Sequence, residues 1–211
     1  MSSVPKSGLK YPSKFGLIMI KAFDSIMGKS GMDVILSLSG LRNFSDNYPD
    51  DNLERTFDFS YVSSIVFSLE EMYGFHYAQE IALQVGKAAF GDCLKNFGVL
   101  TGVQDLAFKV LPLQLKIRTG LPAAVKLINQ LSDQVTTISE NEFEYVMTVH
   151  QCPVCWGRED VNNPVCQLSV GLLQESLKWV SGGREFNVFE SKCKAAGDVN
   201  CEFLIQKEPL S

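Results

Sequence analysis

The chain has 211 residues, 45% apolar and 20% charged, enough to bury a substantial core and to exclude a wholly disordered protein. Nineteen Lys/Arg against 24 Asp/Glu give a net charge of −5, with no basic block. That balance argues against a non-specific nucleic-acid binder, whose affinity comes from neutralising phosphates. No apolar run approaches the ~18 residues of a membrane span. Lys21 also cuts the apolar stretch Phe15 to Ile20 too short for a good signal peptide. A cytoplasmic protein without stable disulfides is expected.

In chain order, the first 132 residues read as mostly helical. A helix is predicted from about Phe15 to Met27, ended by Gly28 and Gly31, and a shorter one from Met32 to Leu38. Residues 42–58 are polar, with a turn at Asn47-Tyr48-Pro49-Asp50-Asp51. Asp58 is a candidate N-cap for a helix in which Val62, Ile65, Val66, Leu69 and Met72 recur at helical spacing up to Gly74. A longer helix from His76 to Phe97 carries Ala82, Val85, Ala89 and Cys93, a narrow face that lets a neighbour pack closely. Pro122 is placed in the first turn of a helix bearing Val125, Ile128 and Leu131.

After Ser132 the period changes to alternation, with Phe143, Tyr145, Met147 and Val149 pointing one way. Gln134 to Ser139 is its partner strand through the Glu140-Asn141 turn. A Cys-rich loop, Cys152 to Asn163, precedes a helix from Val165 to Val180 with Asn163-Pro164 at its start. Strands Phe186 to Ser191 and Cys201 to Gln206 follow, separated by Gly197-Asp198. Helices followed by two hairpins around one helix predict a single α+β domain with a small antiparallel sheet. Its helical part spans 1–132, and a smaller α+β part spans 133–207.

Five of the six cysteines fall in the last 60 residues. In a reducing compartment such clustering points to metal ligation or thiol chemistry. Cys166, Glu190, Cys193 and Cys201 are candidates for a closed tetrahedral zinc site of three thiolates and a carboxylate. Such a site contributes roughly 10–16 kcal/mol to folding in zinc-finger peptides. Glu190 and Cys193 have opposite strand parity, so a bulge or strand end must lie between them. Cys152-Pro153-Val154-Cys155 leaves alternatives open: Cys155 or Cys152 as ligands in place of Glu190, a redox pair, an iron–sulfur site, or small buried apolar residues.

The motifs Val165-Cys166-Gln167-Leu168, Gly171-Leu172-Leu173, Gly182-Gly183-Arg184-Glu185-Phe186, Glu190-Ser191-Lys192-Cys193 and Ala196-Gly197-Asp198, ending at Cys201-Glu202-Phe203, resemble the 4-vinyl-reductase domain family from about Gln134 to Gln206. The resemblance implies the fold of TRAPP trafficking-complex subunits and phenol-sensing transcription activators: helices on a four-stranded antiparallel sheet, commonly a homodimer. In the phenol sensors a zinc site has the spacing of Glu190, Cys193 and Cys201, with a preceding Cys in the place of Cys166. Cys152 and Cys155 are extra relative to that pattern, and the sensors' phenol-recognising His and Trp have no clear counterpart.

The expected function is binding of a small hydrophobic or aromatic molecule without chemistry, the signal passing to a separate partner. Phe90, Phe97, Phe108, Tyr145, Met147, Trp156 and Trp179 are the candidate pocket residues. The alternatives are an enzyme or accessory subunit of tetrapyrrole (bacteriochlorophyll) vinyl reduction, and a protein-interaction subunit of the trafficking type. Against hydride transfer, Gly86 to Gly91 lies inside a predicted helix and is no dinucleotide-binding turn. Glu70-Glu71 reads as a solvated helix face, and His76 and His150 as surface or strand-end residues.

Overall fold

Asp58 begins the second half of the helical layer as its pattern suggested. Its carboxylate accepts from the Ser60 amide at 2.9 Å and also binds the Ser7 and Gly8 amides. Burial opposes ionisation, but the hydrogen bonds from Ser60 and Ser7 outweigh it and hold the carboxyl at about 2. The stability this group contributes is therefore present above the ordinary carboxylate range and is lost as pH falls towards 2. Asp58→Ala is expected to cost about 1–2 kcal/mol in urea unfolding, the ordinary loss for an N-cap.

A computed structural model describes residues 4–210. A short strand β1 (Lys10–Pro12) leads into α1 (Ser13–Met27), followed by α2 (Lys29–Leu38) and one turn, α3 (Asn43–Asp46). Strand β2 (Arg55–Asp58) pairs antiparallel with β1, and α4 (Phe59–Tyr73) follows. Next come α5 (Phe75–Thr101), the short α6 (Leu106–Lys109) and α7 (Leu113–Leu131). Hairpin β3 (Thr136–Glu140) and β4 (Glu144–Val149) precedes α8 (Gln167–Val180), then β5 (Phe186–Lys192), a 3₁₀ turn at Lys194–Ala196, and β6 (Cys201–Pro209). The larger sheet has the order β3-β4-β6-β5, all antiparallel. This is the expected α+β architecture, a helical part packed with a four-stranded antiparallel sheet.

Three local expectations need correction. The polar stretch 42–58 contains β2, too short and too charged at Arg55 to show alternation. Pro122 lies inside α7, not in its first turn, while Pro112 takes the N-cap position; α7 runs through the proline with the loss of one backbone hydrogen bond. The last helix begins at Gln167, with Cys166 as its N-cap residue. In addition Phe143, expected on the inner face of β4, is 71% exposed, because it precedes the strand and sits in the turn.

Helices α5 and α8 cross at two glycines. A Cβ on Gly86 would stand 2.1 Å from the Leu168 carbonyl oxygen, and one on Gly171 would stand 2.0 Å from the Leu83 carbonyl oxygen. The two backbones touch, and no side-chain rotation relieves an added methyl there. Ala82, Val85 and Ala89 extend the buried small-residue face of α5. Gly171→Ala is expected to force the helices apart and cost about 3 kcal/mol, the upper end for overpacking, read from the denaturation midpoint.

Candidate functional site

Two features sit side by side at the junction of helices and sheet: a cluster of sulfur atoms and an apolar cavity. The cluster is assembled by three segments. The loop after β4 brings Cys152 and Cys155, the N-terminus of α8 brings Cys166, and the β5–β6 hairpin brings Glu190, Cys193 and Cys201. All six are buried. The parity conflict between Glu190 and Cys193 is relieved by a shift in β5–β6 pairing between Glu190 and Lys192, after which the strand ends.

The sulfur separations are 3.5 Å for Cys152–Cys166, 3.4 Å for Cys155–Cys201, 3.9 Å for Cys166–Cys201 and 4.0 Å for Cys166–Cys193. A tetrahedral ion with metal–sulfur bonds of about 2.3 Å has ligand–ligand edges of about 3.8 Å. Donor atoms within 4.8 Å of one another form two quartets: Cys152, Cys155, Cys166 and Cys201, and Cys166, Glu190, Cys193 and Cys201. The sequence left the CxxC pair and Glu190 as alternatives; the structure brings both to the same place.

Glu190 accepts from the Cys166 amide at 2.7 Å through Oε2, while its buried Oε1 has no hydrogen-bond partner among the described residues. Burial, and then the neighbouring Cys193 sulfur, push its carboxyl up to about 9. Burial likewise pushes the Cys166 thiol up. Protons are thus favoured on these donors where no cation faces them, and a dication would reverse that preference. The Lys194 amide donates to the Cys201 sulfur at 3.4 Å, and the Cys193 amide to Asp198 at 2.8 Å, which fixes the hairpin turn.

The loop carrying Cys152 and Cys155 is tied down from the helical side. Arg158 pairs with Glu70 of α4, its Nη1 donating to Oε1 at 3.0 Å, and Gln79 of α5 donates to the same oxygen at 2.6 Å. Both charged side chains are largely buried, 5% and 13% exposed. Glu70 is therefore no solvated face, as its Glu-Glu sequence suggested; Glu71 is the exposed member. Val161 completes the anchorage by donating to the Ala195 carbonyl at 3.1 Å.

The cavity, about 300 Å³, lies between α1, α5, α7, α8 and the inner face of the sheet. Phe90, Phe97, Phe108, Met147 and Trp179 of the candidate pocket residues line it. Tyr145 and Trp156 do not. Tyr145 packs under Lys207 at the far end of β4, and the Trp156 carbonyl accepts from Ser63 on α4. Sequence reasoning did not single out the cavity's polar corner, where Tyr11 donates its phenol proton to Gln134 and Gln134 donates to Thr136 at 2.7 Å. Burial raises the Tyr11 phenol well above its ordinary value. Cys93 also lines the cavity; burial, with Asp92 adding, pushes its thiol up to about 12, which favours the thiol over the thiolate. Cys152 belongs to both features, as a donor of the cluster and part of the cavity wall.

Neither histidine lies in the cavity. His76 is exposed at the start of α5, and His150 bonds Asn200 at 2.9 Å beyond the end of β4. No helix of the described residues is long and apolar enough to cross a membrane.

Comparison with known protein families and with curated proteins gives no match to this sequence. Solved structures do resemble it. The Fe(II) unliganded H-NOX protein from K. algicida superposes with a TM-score of 0.59 at 12% identity, over 95% of this chain and 97% of that one. An H-NOX protein from S. oneidensis in the Fe(II)NO state gives 0.54 at 15% identity, over 92% and 99%. The phenol-responsive sensory domain of the transcription activator PoxR, with phenol, gives 0.50 at 12% identity, over 72% and 77%. At these identities the likeness is one of architecture, and this chain has the α+β fold found in the H-NOX proteins and in the PoxR sensory domain.

Proposed function

We propose that this protein is a metal-stapled, sensor-like domain that takes a small hydrophobic or aromatic molecule into its cavity and does no chemistry on it. The observation that carries this reading is a mainly apolar cavity with a hydrogen-bonded polar corner at Tyr11, Gln134 and Thr136, one wall of which is held by the sulfur cluster. Ligand pockets of this kind are mainly apolar with a few placed polar groups. Here the Tyr11–Gln134–Thr136 chain supplies those groups, suited to orienting one hydroxyl or carbonyl. Zinc is the ion the donor set favours, being all sulfur and carboxylate in tetrahedral quartets. The metal ligands in this reading are Cys166, Glu190, Cys193 and Cys201, with Cys155 and Cys152 as the alternates. Kinship with the 4-vinyl-reductase domains, a homodimeric state, a cytoplasmic location and a separate signalling partner belong to the same proposal.

Two of the solved structures that resemble this chain concern haem distortion, one of them in the H-NOX family, and a haem in this cavity would need an axial ligand from its lining. That lining has no histidine, the proximal ligand of globin-type haem, and its Tyr11 phenol donates to Gln134; the lining side chains of ligating type are Met19, Met147, Cys93 and Cys152. Among the described residues, Lys116 is the one cationic side chain in the lining to meet two propionates.

The test has two arms. Zinc analysis of purified protein is expected to give at least one equivalent per chain, and less than half an equivalent would defeat the metal reading. For the cavity, 1-naphthol is expected to bind the wild type, and Leu121→Trp, which fills the cavity, to weaken binding at least tenfold with the circular dichroism unchanged. Equal binding by both would defeat the pocket assignment.

A further inference from the structure

The two quartets are not simple alternatives, because they share two members. Cys166 and Cys201 belong to both, and their sulfurs lie 3.9 Å apart. The remaining donors divide cleanly, Cys152 and Cys155 into one quartet, Glu190 and Cys193 into the other. We propose that the cluster is a binuclear centre: two zinc ions, each tetrahedral, bridged by the thiolates of Cys166 and Cys201. Cys152 and Cys155 are the terminal ligands of one ion, and Glu190 and Cys193 those of the other. The proposal rests on the metal reading above and deepens it.

Three observations support two ions over one. The first is the count of donors. Two tetrahedral ions need eight bonds, and four terminal donors plus two bridging thiolates supply eight. A thiolate sulfur has the lone pairs to bind two ions, whereas a histidine nitrogen does not, and the donors shared by both quartets are cysteines.

The second is what a single ion leaves behind. An ion in the Cys152, Cys155, Cys166, Cys201 quartet leaves Cys193 buried beside it and Glu190 Oε1 buried without a partner. An ion in the other quartet leaves Cys152 and Cys155 buried against bound sulfurs at 3.5 Å and 3.4 Å. Buried polar atoms without partners are rare because each forfeits its solvation. Two ions give all six donors a bond, Oε1 among them.

The third is charge. Five thiolates and one carboxylate carry six negative charges, and two dications reduce the net charge to −2, the value of an ordinary four-cysteine zinc site. With one ion the same ionised donors would carry −4. The residual charge in the binuclear centre faces the Lys194 amide and the N-terminus of α8, both positive in sign. Each ion enters as a dication and displaces the donors' protons to solvent, with no change in oxidation state.

The full chain, expressed with zinc and desalted, is to be examined by native mass spectrometry and elemental analysis. Two zinc ions per chain are expected. One ion overturns the binuclear centre while leaving the metal reading intact, and none, or iron with labile sulfide, overturns both. Cys193→Ser, and separately the double variant Cys152→Ser/Cys155→Ser, are each expected to bring the content down to one. Because those variants can fail to fold, the wild-type protein loaded with ¹¹³Cd is the second measurement. Two cadmium resonances split by coupling through shared sulfurs are expected, and two unsplit resonances, from ions that share no ligand, overturn the bridge.

Discussion

Cys201→Ser is expected to leave the protein unable to fold at 37 °C, with little metal bound and a far-ultraviolet spectrum close to that of the chelator-treated wild type. Cys201 is a member of both quartets and opens β6, the strand between β4 and β5 in the sheet. Structural zinc supplies roughly 10–16 kcal/mol in peptides that fold around it, against a net stability of about 5–15 kcal/mol for an ordinary domain. In the proposed metal reading, loss of the ion therefore removes a term as large as the whole margin. The buried surroundings add to the effect, since the vacated donors would be left in a site walled off from water. Equal melting temperatures for Cys201→Ser and wild type would show that packing alone holds the hairpin.

The second large effect is expected at Arg158. Its guanidinium and the Glu70 carboxylate form a buried pair that joins α4 to the cysteine loop, with Gln79 as a third member. Removing one partner strands the other charge, so Arg158→Met should cost about 3–5 kcal/mol. For a chain of this length that lowers the melting temperature by on the order of 10 °C. Replacing both residues, Arg158→Met with Glu70→Leu, should recover much of the loss, because apolar pairs often substitute for buried ion pairs without penalty. A double variant no more stable than Arg158→Met would place the cost in lost packing over Phe67, which the guanidinium covers, and not in the orphaned carboxylate.

The contrast between Glu70 and Asp58 shows where sequence reasoning succeeds. The capping bond of Asp58 acts on its own helix, through an amide two residues away, and is written in local order, whereas its bonds from the Ser7 and Gly8 amides, 51 and 50 positions earlier, are not. Glu70 acts on a residue 88 positions later, and nothing in the Glu-Glu pair distinguishes the buried member from the exposed one. The same divide runs through the fold. The long helices, apart from the first half of α7 that Pro122 conceals, and both hairpins of the larger sheet announce themselves by period and turn residues. The β1–β2 pair does not, because three- and four-residue strands are too short to establish alternation and their register comes from the helices they flank.

The cluster was legible as a composition, five cysteines and one glutamate near the end of the chain, but not as a geometry. Whether Glu190 or the CxxC pair faces Cys166 depends on the slipped pairing in β5 and on the path of the loop that Arg158 anchors. Neither leaves a trace in spacing. The cavity was legible in its aromatic rings and not in its polar corner. Tyr11 and Gln134 lie 123 residues apart and belong to segments with no pattern in common.

Cys152 stands in the wall between the cavity and the sulfur cluster, and that position has a thermodynamic corollary. Under the proposed reading, any guest that shifts this sulfur on entering would change the ion's hold on the protein, and reciprocity would require the ion to change the guest's affinity by the same factor. Occupancy of the one compartment then becomes readable in the other, across a single side chain and without any rearrangement of the domain as a whole.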